Sequence, residues 1–501
     1  MKKNLKKISP ELLLLILLIF LGLYFRHLNL FFEDYWIDEM LSFSNANPNI
    51  SFSDTLDKVK SSERTPALFF LILKYIFKLF QYHPDVGRYF IMILGVSAIP
   101  IAFLISKELH TKKSAILFSF FISANIYLIN YSQEVRVYTL LFLLSLINIF
   151  LFLKVINENK KKLTFFDGGL FITNILGFSA HPFFFIIIIS EISYCLIKIF
   201  LNKEKLNKIF LILIFSLIIS FLIQYDYLMN LKAYESVNWI QSGDYLNTKF
   251  LTDLYFRKFF GSKIMGAIYF FSLLSLIFLF RKIIIYSNHY LLFIIIILFS
   301  YLIPIFYGSI KQPVLFDRYI IFVLIPIFVL LSSLIYEIKN RKAKKILILI
   351  LVITTLSNLY LELANKYWHH KPQTVKLLNL IYENSQNKNS INLYLDEENG
   401  IPTFHDYVIK LEKFKKNNFK IIKKNELSFV NDFWLICYVD VCLTGICYKD
   451  IEGEHQGTEI PNWPIKFCSD TKGINNNYKM KEIFGKNTNP YQKILGKYYT
   501  K

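Results

Sequence analysis

The sequence predicts a polytopic α-helical membrane protein with about eleven transmembrane helices, followed by a small extracytoplasmic α/β domain. Three observations predict it. Hydrophobic residues make up 54% of the 501-residue chain, which carries 50 Phe, and its mean hydropathy of +0.40 is too high for a chain held in water. The apolar residues are gathered into runs near the roughly 18–20 residues that cross a bilayer. The 57 Lys and Arg outnumber the 37 Asp and Glu, a net charge of +20, and they fall in short clusters between the apolar runs. Such clusters mark cytoplasmic loops, so the charge is a topology signal and no nucleic-acid partner is expected. The same composition excludes disordered, collagen-like and small disulfide-scaffold classes.

The basic segment 1–10 and the apolar run 12–25 have no small-residue cleavage site after them, which predicts an uncleaved anchor with a cytoplasmic N-terminus. A first outer loop, 26–65, is rich in Asp, Glu, Ser and Asn. Of the next two apolar segments only one can cross fully, because Lys107, Lys112 and Lys113 place the following loop inside. We assign the crossing to 88–106. Segment 66–80, which carries Lys74 and Lys78, is expected to lie along or re-enter the outer face. Further spans alternate: 114–131 outward, 136–153 inward, 168–181 outward, 183–198 inward, 209–226 outward, 264–280 inward, 290–307 outward, 318–338 inward and 346–361 outward. Asp167 and Glu191 weaken the 168–198 pair, but the basic loops on both sides of it require an even number of crossings, with a hairpin at His181-Pro182.

At residue 366 the composition changes, dividing a membrane domain (1–365) from a C-terminal domain (366–501). Aromatic and β-branched content predicts strands at 391–395 and 433–439, and helical spacing marks 375–382 and 407–414. The domain is expected outside the cytoplasm. Four of the five cysteines lie in it, Cys437, Cys442, Cys447 and Cys468. In that compartment they predict one or two disulfides, with free thiols or a zinc site as alternatives. Paired C-x₂-C spacing is absent. Cys195 falls in a span and reads as packing.

The polar residues that need a reason lie at the outer ends of spans. They are Asp38-Glu39 after Trp36-Ile37; Ser132-Gln133-Glu134-Val135-Arg136-Val137-Tyr138 between two apolar runs; Asp317-Arg318-Tyr319; Ser62-Glu63-Arg64-Thr65-Pro66; and His181. Each has a bland reading: a solvated acidic pair, a Glu134–Arg136 interaction, a structural histidine. Together they combine a carboxylate able to accept a proton with arginines able to hold a phosphate through paired hydrogen bonds. That suits chemistry on an anionic lipid headgroup.

These features resemble the GT-C type glycosyltransferases that use polyprenol-phosphate sugars, among them protein O-mannosyltransferases and the lipid A aminoarabinose transferase. The acidic pair of that family is similar to Asp38-Glu39, and its Arg at the head of the next run to Arg88. Its Ser-Gln-Glu-x-Arg-x-Tyr segment is matched by Ser132 to Tyr138, and its late Arg-Tyr by Arg318-Tyr319. Its His-Pro-Pro-Leu-Tyr-Tyr motif is matched loosely by Arg64-Thr65-Pro66-Ala67-Leu68-Phe69-Phe70, where Arg64-Thr65 replaces the His and Ala67 the second Pro. The resemblance covers about residues 10–340 and implies a GT-C-like membrane domain performing an inverting transfer. A hexosyl or pentosyl group would move from a polyprenyl-phosphate donor to a hydroxyl of a glycan, lipid or protein, at the outer face of the plasma (inner) membrane. It implies Asp38 as general base, with Arg136, then Arg64 and Arg318, on the lipid phosphate. Glu39 and Glu134 would orient these groups, and Arg88, Tyr138 and His181 would line the donor site. No cofactor and no divalent metal are expected, since arginines can carry the phosphate charge. The rival readings are a lipid-linked glycan ligase or polymerase, a transporter or flippase, and a receptor or anchor. A flippase would favour internal repeats and mid-membrane helix breaks, a ligase would place its catalytic groups in a late loop, and an anchor would not need so many spans.

Overall fold

A computed structural model of the chain describes residues 9–63, 65–158, 162–202, 207–231, 258–286, 289–311, 314–365, 371, 373–385, 390–395, 405, 407–411, 419–440, 479–484 and 492–500. These fall into two compact units. The first takes its residues from Met1–Leu28, Leu56–Ile72 and Arg88–Ala364, the second from Asn29–Thr55, Leu73–Gly87 and Asn365–Lys501.

The first helix, α1 (Pro10–His27), starts with Ser9 as cap and Pro10 in its first turn. The segment read as a first outer loop contains two helices, α2 (Ile37–Asn45) and α3 (Phe52–Ser62). Next comes α4 (Leu68–Leu79), of 12 residues. At about 1.5 Å per residue it is far shorter than a hydrocarbon core of about 30 Å. The long α5 (Pro84–Leu109) carries Pro100 within it.

The span expected at 114–131 is broken, which corrects the reading of one continuous helix. It forms α6 (Lys112–Ala124) and α7 (Ile126–Tyr131), separated by Asn125 in an extended conformation. The Asn125 Oδ1 accepts the Leu128 N–H (3.0 Å) and starts α7, while its amide donates to the Phe259 carbonyl (3.1 Å). The break exposes the last carbonyls of α6, which a helix end must satisfy elsewhere. Arg26 does so: its guanidinium donates to the carbonyls of Ile122 (2.9 Å) and Ser123 (3.1 Å), and its Nε to the Ser132 hydroxyl (3.2 Å). In return the Gln133 amide donates to the carbonyls of Arg26 and Leu28, both at 2.8 Å. Gly95 lies against this knot, where any side chain would collide with Ser132.

The remaining helices are α8 (Tyr138–Glu158), α9 (Phe165–Ala180), α10 (Phe185–Asn202), α11 (Asn207–Ile223), α12 (Tyr225–Leu231), α13 (Lys263–Leu279), α14 (Arg281–Tyr286), α15 (Tyr290–Ile310), α16 (Leu324–Glu337) and α17 (Arg341–Asn365). Short 3-10 turns, Pro182–Phe184 and Asp317–Val323, lead into α10 and α16. Among the described residues seven helices are long and apolar enough to cross a membrane. Three shorter apolar ones, Phe165–Ala180, Lys208–Ile223 and Lys263–Leu279, occupy other expected spans. This is a multi-pass membrane protein. The core of the unit runs through α8 and α16, buried along most of their length, as helices apolar on all sides must be. Within it, Asn148 donates to Asn174 (2.5 Å) and Asn174 to Ser216 (2.8 Å), so buried amides join α8, α9 and α11. Asp167 is accommodated at the first turn of α9 by Thr164 and by Lys208 at 2.9 Å.

In the second unit α18 (Thr374–Glu383) precedes a five-stranded sheet: β1 (Ile391–Leu395), β2 (Phe419–Ile422), β3 (Asp432–Asp440), β4 (Lys479–Phe484) and β5 (Gln492–Thr500). The strand order is β2-β1-β3-β5-β4. β1 runs parallel to β2 and β3, while β5 is antiparallel to β3 and β4. Trp434, 2% exposed, anchors its core and donates from Nε1 to Ser385 (3.2 Å). Of the helix expected at 407–414, only 407–411 lie among the described residues, where they form a helical turn.

Candidate functional site

Each unit holds a charged cluster of its own. In the first, residues 132–137 form a tight turn between α7 and α8, fastened by the Ser132 and Gln133 bonds above. Tethering of the turn at its start leaves Arg136 and Tyr138 to project from fixed backbone. Arg136 is buried, and its fork meets the Glu63 carboxylate at the end of α3: Nη1 to Oε1 at 2.7 Å and Nη2 to Oε2 at 3.1 Å. The side chains are 8% and 5% exposed. The pairing is paired-hydrogen-bond geometry in a place with little water, where an ion pair is strongest and a lone charge least tolerable. The fork takes Glu63, a partner the sequence reading does not name for it, and half-buried Glu134 sits in the same turn, its carbonyl accepting the Arg136 N–H (2.7 Å).

Tyr138 opens α8, and groups from two distant segments gather on its ring. His181 packs against it at 6.1 Å and against Tyr319 at 5.2 Å. The Arg318 guanidinium lies over Phe316 (5.0 Å), Tyr138 (5.6 Å) and Tyr319 (5.7 Å), three cation–π contacts that fix its position. Buried His181 accepts the Phe183 N–H at Nδ1 (3.2 Å), so that nitrogen carries no proton and the ring can donate only from Nε2. Asp317 accepts from the Tyr127 hydroxyl (3.2 Å) and lies 3.6 Å from the Lys258 ammonium. Arg136, Tyr138, His181 and Arg318 are thus brought together. Arg88 is buried in α5 of the same unit. Arg64 lies outside the described residues.

In the second unit Asp38 and Glu39 occupy the first turn of α2, where the helix dipole favours negative charge. Asp38 is half-buried and Glu39 fully buried. The Lys371 ammonium reaches Glu39 Oε2 at 2.8 Å. The Lys371 backbone N–H donates to Glu33 (2.8 Å), and Asp34 accepts the Val375 N–H (2.8 Å) at the open start of α18. Tyr35 stacks on Tyr407 at 5.1 Å. On α4, Lys74 donates to the carbonyls of Asn47 (2.8 Å) and Ile50 (2.6 Å) and to Thr55 (2.9 Å). Burial holds its ammonium below the usual lysine range against the opposing charge of Asp54. Hydrogen bonds from Ser51 hold the Asp54 carboxyl below the usual carboxylate range. Cys442, Cys447 and Cys468 lie outside the described residues, and Cys437 is placed only as a position on β3.

Among the described residues no three His, Cys, Asp or Glu side chains gather as a metal site would need. Sequence reasoning missed Arg26, the role of Glu63, and Lys371. Arg26 carried a signal, an ionisable group at the end of an apolar run; Lys371 carried none.

No protein-family model matches the chain, and no curated protein matches it. Solved structures do. ArnT from Cupriavidus metallidurans bound to undecaprenyl phosphate matches with a TM-score of 0.53 at 7% identity, over 96% of this chain and 97% of that one. The Archaeoglobus fulgidus oligosaccharyltransferase in its apo form matches with a TM-score of 0.52 at 10% identity, over 87% of this chain and 70% of that one. The archaeal oligosaccharyltransferase AglB from the same organism, in complex with an inhibitory peptide and a dolichol-phosphate, matches at 0.51 and 11% identity, and this chain spans 64% of its length. These likenesses show the fold alone: the multi-helix membrane fold of the matched structures, here with a small C-terminal sheet.

Proposed function

We propose that this GT-C-type chain is an inverting glycosyltransferase of the plasma (inner) membrane that moves a hexosyl or pentosyl group from a polyprenyl-phosphate donor to a hydroxyl acceptor. The observation that carries the reading is the convergence of Arg318 and His181 on Tyr138, two residues from the Glu63-clamped Arg136. Two guanidiniums, one paired with a buried carboxylate and one, half-buried, packed over aromatic rings, suit an anionic leaving group whose charge grows in the transition state. The undecaprenyl phosphate and dolichol-phosphate in the matched structures support a lipid phosphate as that group.

Asp38 takes the acceptor hydroxyl proton. The freed oxygen attacks the anomeric carbon from the face opposite the phosphate, and the carbon–oxygen bond to the phosphate breaks with its electron pair. Arg136 and Arg318 balance the phosphate charge; Glu63 fixes the first of them and Tyr138 the second. Glu39 orients rather than reacts. The chemistry uses no cofactor, and the arginines take the place a divalent ion would otherwise fill. Active groups at the outer face, a cytoplasmic N-terminus and an extracytoplasmic C-terminal domain complete the proposal. Mass spectrometry of surface lipids, glycans and glycoproteins from cells with and without the protein tests it. One glycan-modified species should disappear with the protein; identical profiles would count against the proposal.

A further inference from the structure

The turn that bears Asp38 is not held by α2 alone. Within the second unit three acidic side chains, Glu33, Asp34 and Glu39, each take a donor from the short segment 371–375. Two of these donors are backbone N–H groups, and only one, the Lys371 ammonium, belongs to a side chain. It meets the carboxylate that most needs it. Glu39 is 0% exposed, and a carboxylate withdrawn from water without a counter-charge takes up a proton or moves. Glu39 adjoins Asp38 in the first turn of the helix, so any displacement of one shifts the other.

We propose that Lys371 is a positioning residue for the transfer reaction: by neutralising and holding Glu39 it sets the α2 turn that presents Asp38. The inference rests on the reading of Asp38 as the base. The Glu33 and Asp34 bonds run to backbone, so they survive a change of the Lys371 side chain and keep the segment docked. The ammonium can therefore be removed on its own.

The test compares purified full-length variants, each normalised to folded protein, on a supplied polyprenyl-phosphate sugar. Lys371→Met keeps the aliphatic stem and loses the charge. It should lower kcat by about 10–100-fold, the scale of a small misplacement of a reacting group. Donor KM should stay within about twofold, since donor binding is not what Lys371 serves. Lys371→Arg should restore most of the rate. Glu39→Gln should also lower kcat, and adding Lys371→Met to it should cost nothing more, because the residue that Lys371 holds has already been neutralised. The Glu39→Gln/Lys371→Met pair removes the buried carboxylate together with its ammonium, so it gives the answer even where Lys371→Met alone folds poorly. Wild-type kcat from folded Lys371→Met, or losses that multiply in the double variant, would overturn the proposal. Asp38→Asn separates the two levels of argument. If Asp38→Asn is inactive while Lys371→Met is normal, only the positioning role fails; if Asp38→Asn turns over normally, the base assignment fails and takes this role with it.

Discussion

Replacing Glu63 by Gln keeps the size of the side chain and removes its charge, which leaves the Arg136 guanidinium in a nearly dry pocket without its carboxylate. The pair is 8% and 5% exposed, with both nitrogens of the fork bonded at 2.7 and 3.1 Å. Breaking such a pair by removing one partner costs about 3–5 kcal/mol, most of it the penalty of the stranded charge. Arg136→Gln strands the carboxylate instead and should cost about as much. The double variant removes both partners of the pair together, so its loss should fall short of the sum, with a coupling energy of about 2–3 kcal/mol. Denaturant titration of the four proteins in detergent micelles, followed by tryptophan fluorescence, measures each loss. Single variants within about 1 kcal/mol of wild type, the range of exposed pairs, would refute the assignment of a buried clamp. So would losses that simply add.

Three further expectations follow from the same account. A reporter fused after Lys501 should be active only outside the cytoplasm and one fused after Lys345 only inside; a cytoplasmic signal at Lys501 would undo the topology. Non-reducing peptide mapping of protein from an oxidising compartment should find at least one disulfide among Cys437, Cys442, Cys447 and Cys468, and its loss should cost about 2–4 kcal/mol of domain stability; four free thiols would contradict this. Dialysis against a chelator should leave turnover unchanged, because lysine and arginine supply the cations beside Glu39 and the phosphate; activity abolished by the chelator and restored by a divalent ion would contradict the metal-free reading.

The membrane body was legible because its signal is local. Apolar runs and basic loops are read within a window of twenty residues, and helices stand at every expected span. What escaped depends on contacts across the chain. Asn125 looked like one tolerated polar residue in an apolar run, yet its side chain ends one helix and starts another, and the carbonyls it exposes are satisfied by Arg26, some hundred residues earlier in the chain. Glu63 and Arg136 both stand out as polar residues needing a reason, but they lie 73 positions apart and nothing in the sequence joins them. The polarity of 26–65 predicts a loop and conceals two short helices, α2 and α3. Strands β1 and β3 announced themselves by aromatic and β-branched content. The sheet order did not, because three of its four pairings, β1 with β2, β1 with β3 and β3 with β5, join strands far apart in the chain.

The central claim is that Asp38 serves as the base in a transfer from a lipid-phosphate sugar. The most direct measurement is release of polyprenyl phosphate by purified wild type and Asp38→Asn, per folded molecule, with donor and a hydroxyl acceptor supplied. Asn keeps the shape of the side chain and loses its basicity. Turnover should fall by about 10²–10⁴-fold, the usual contribution of a positioned base, with donor binding nearly unchanged. Wild-type turnover from well-folded Asp38→Asn would contradict the account.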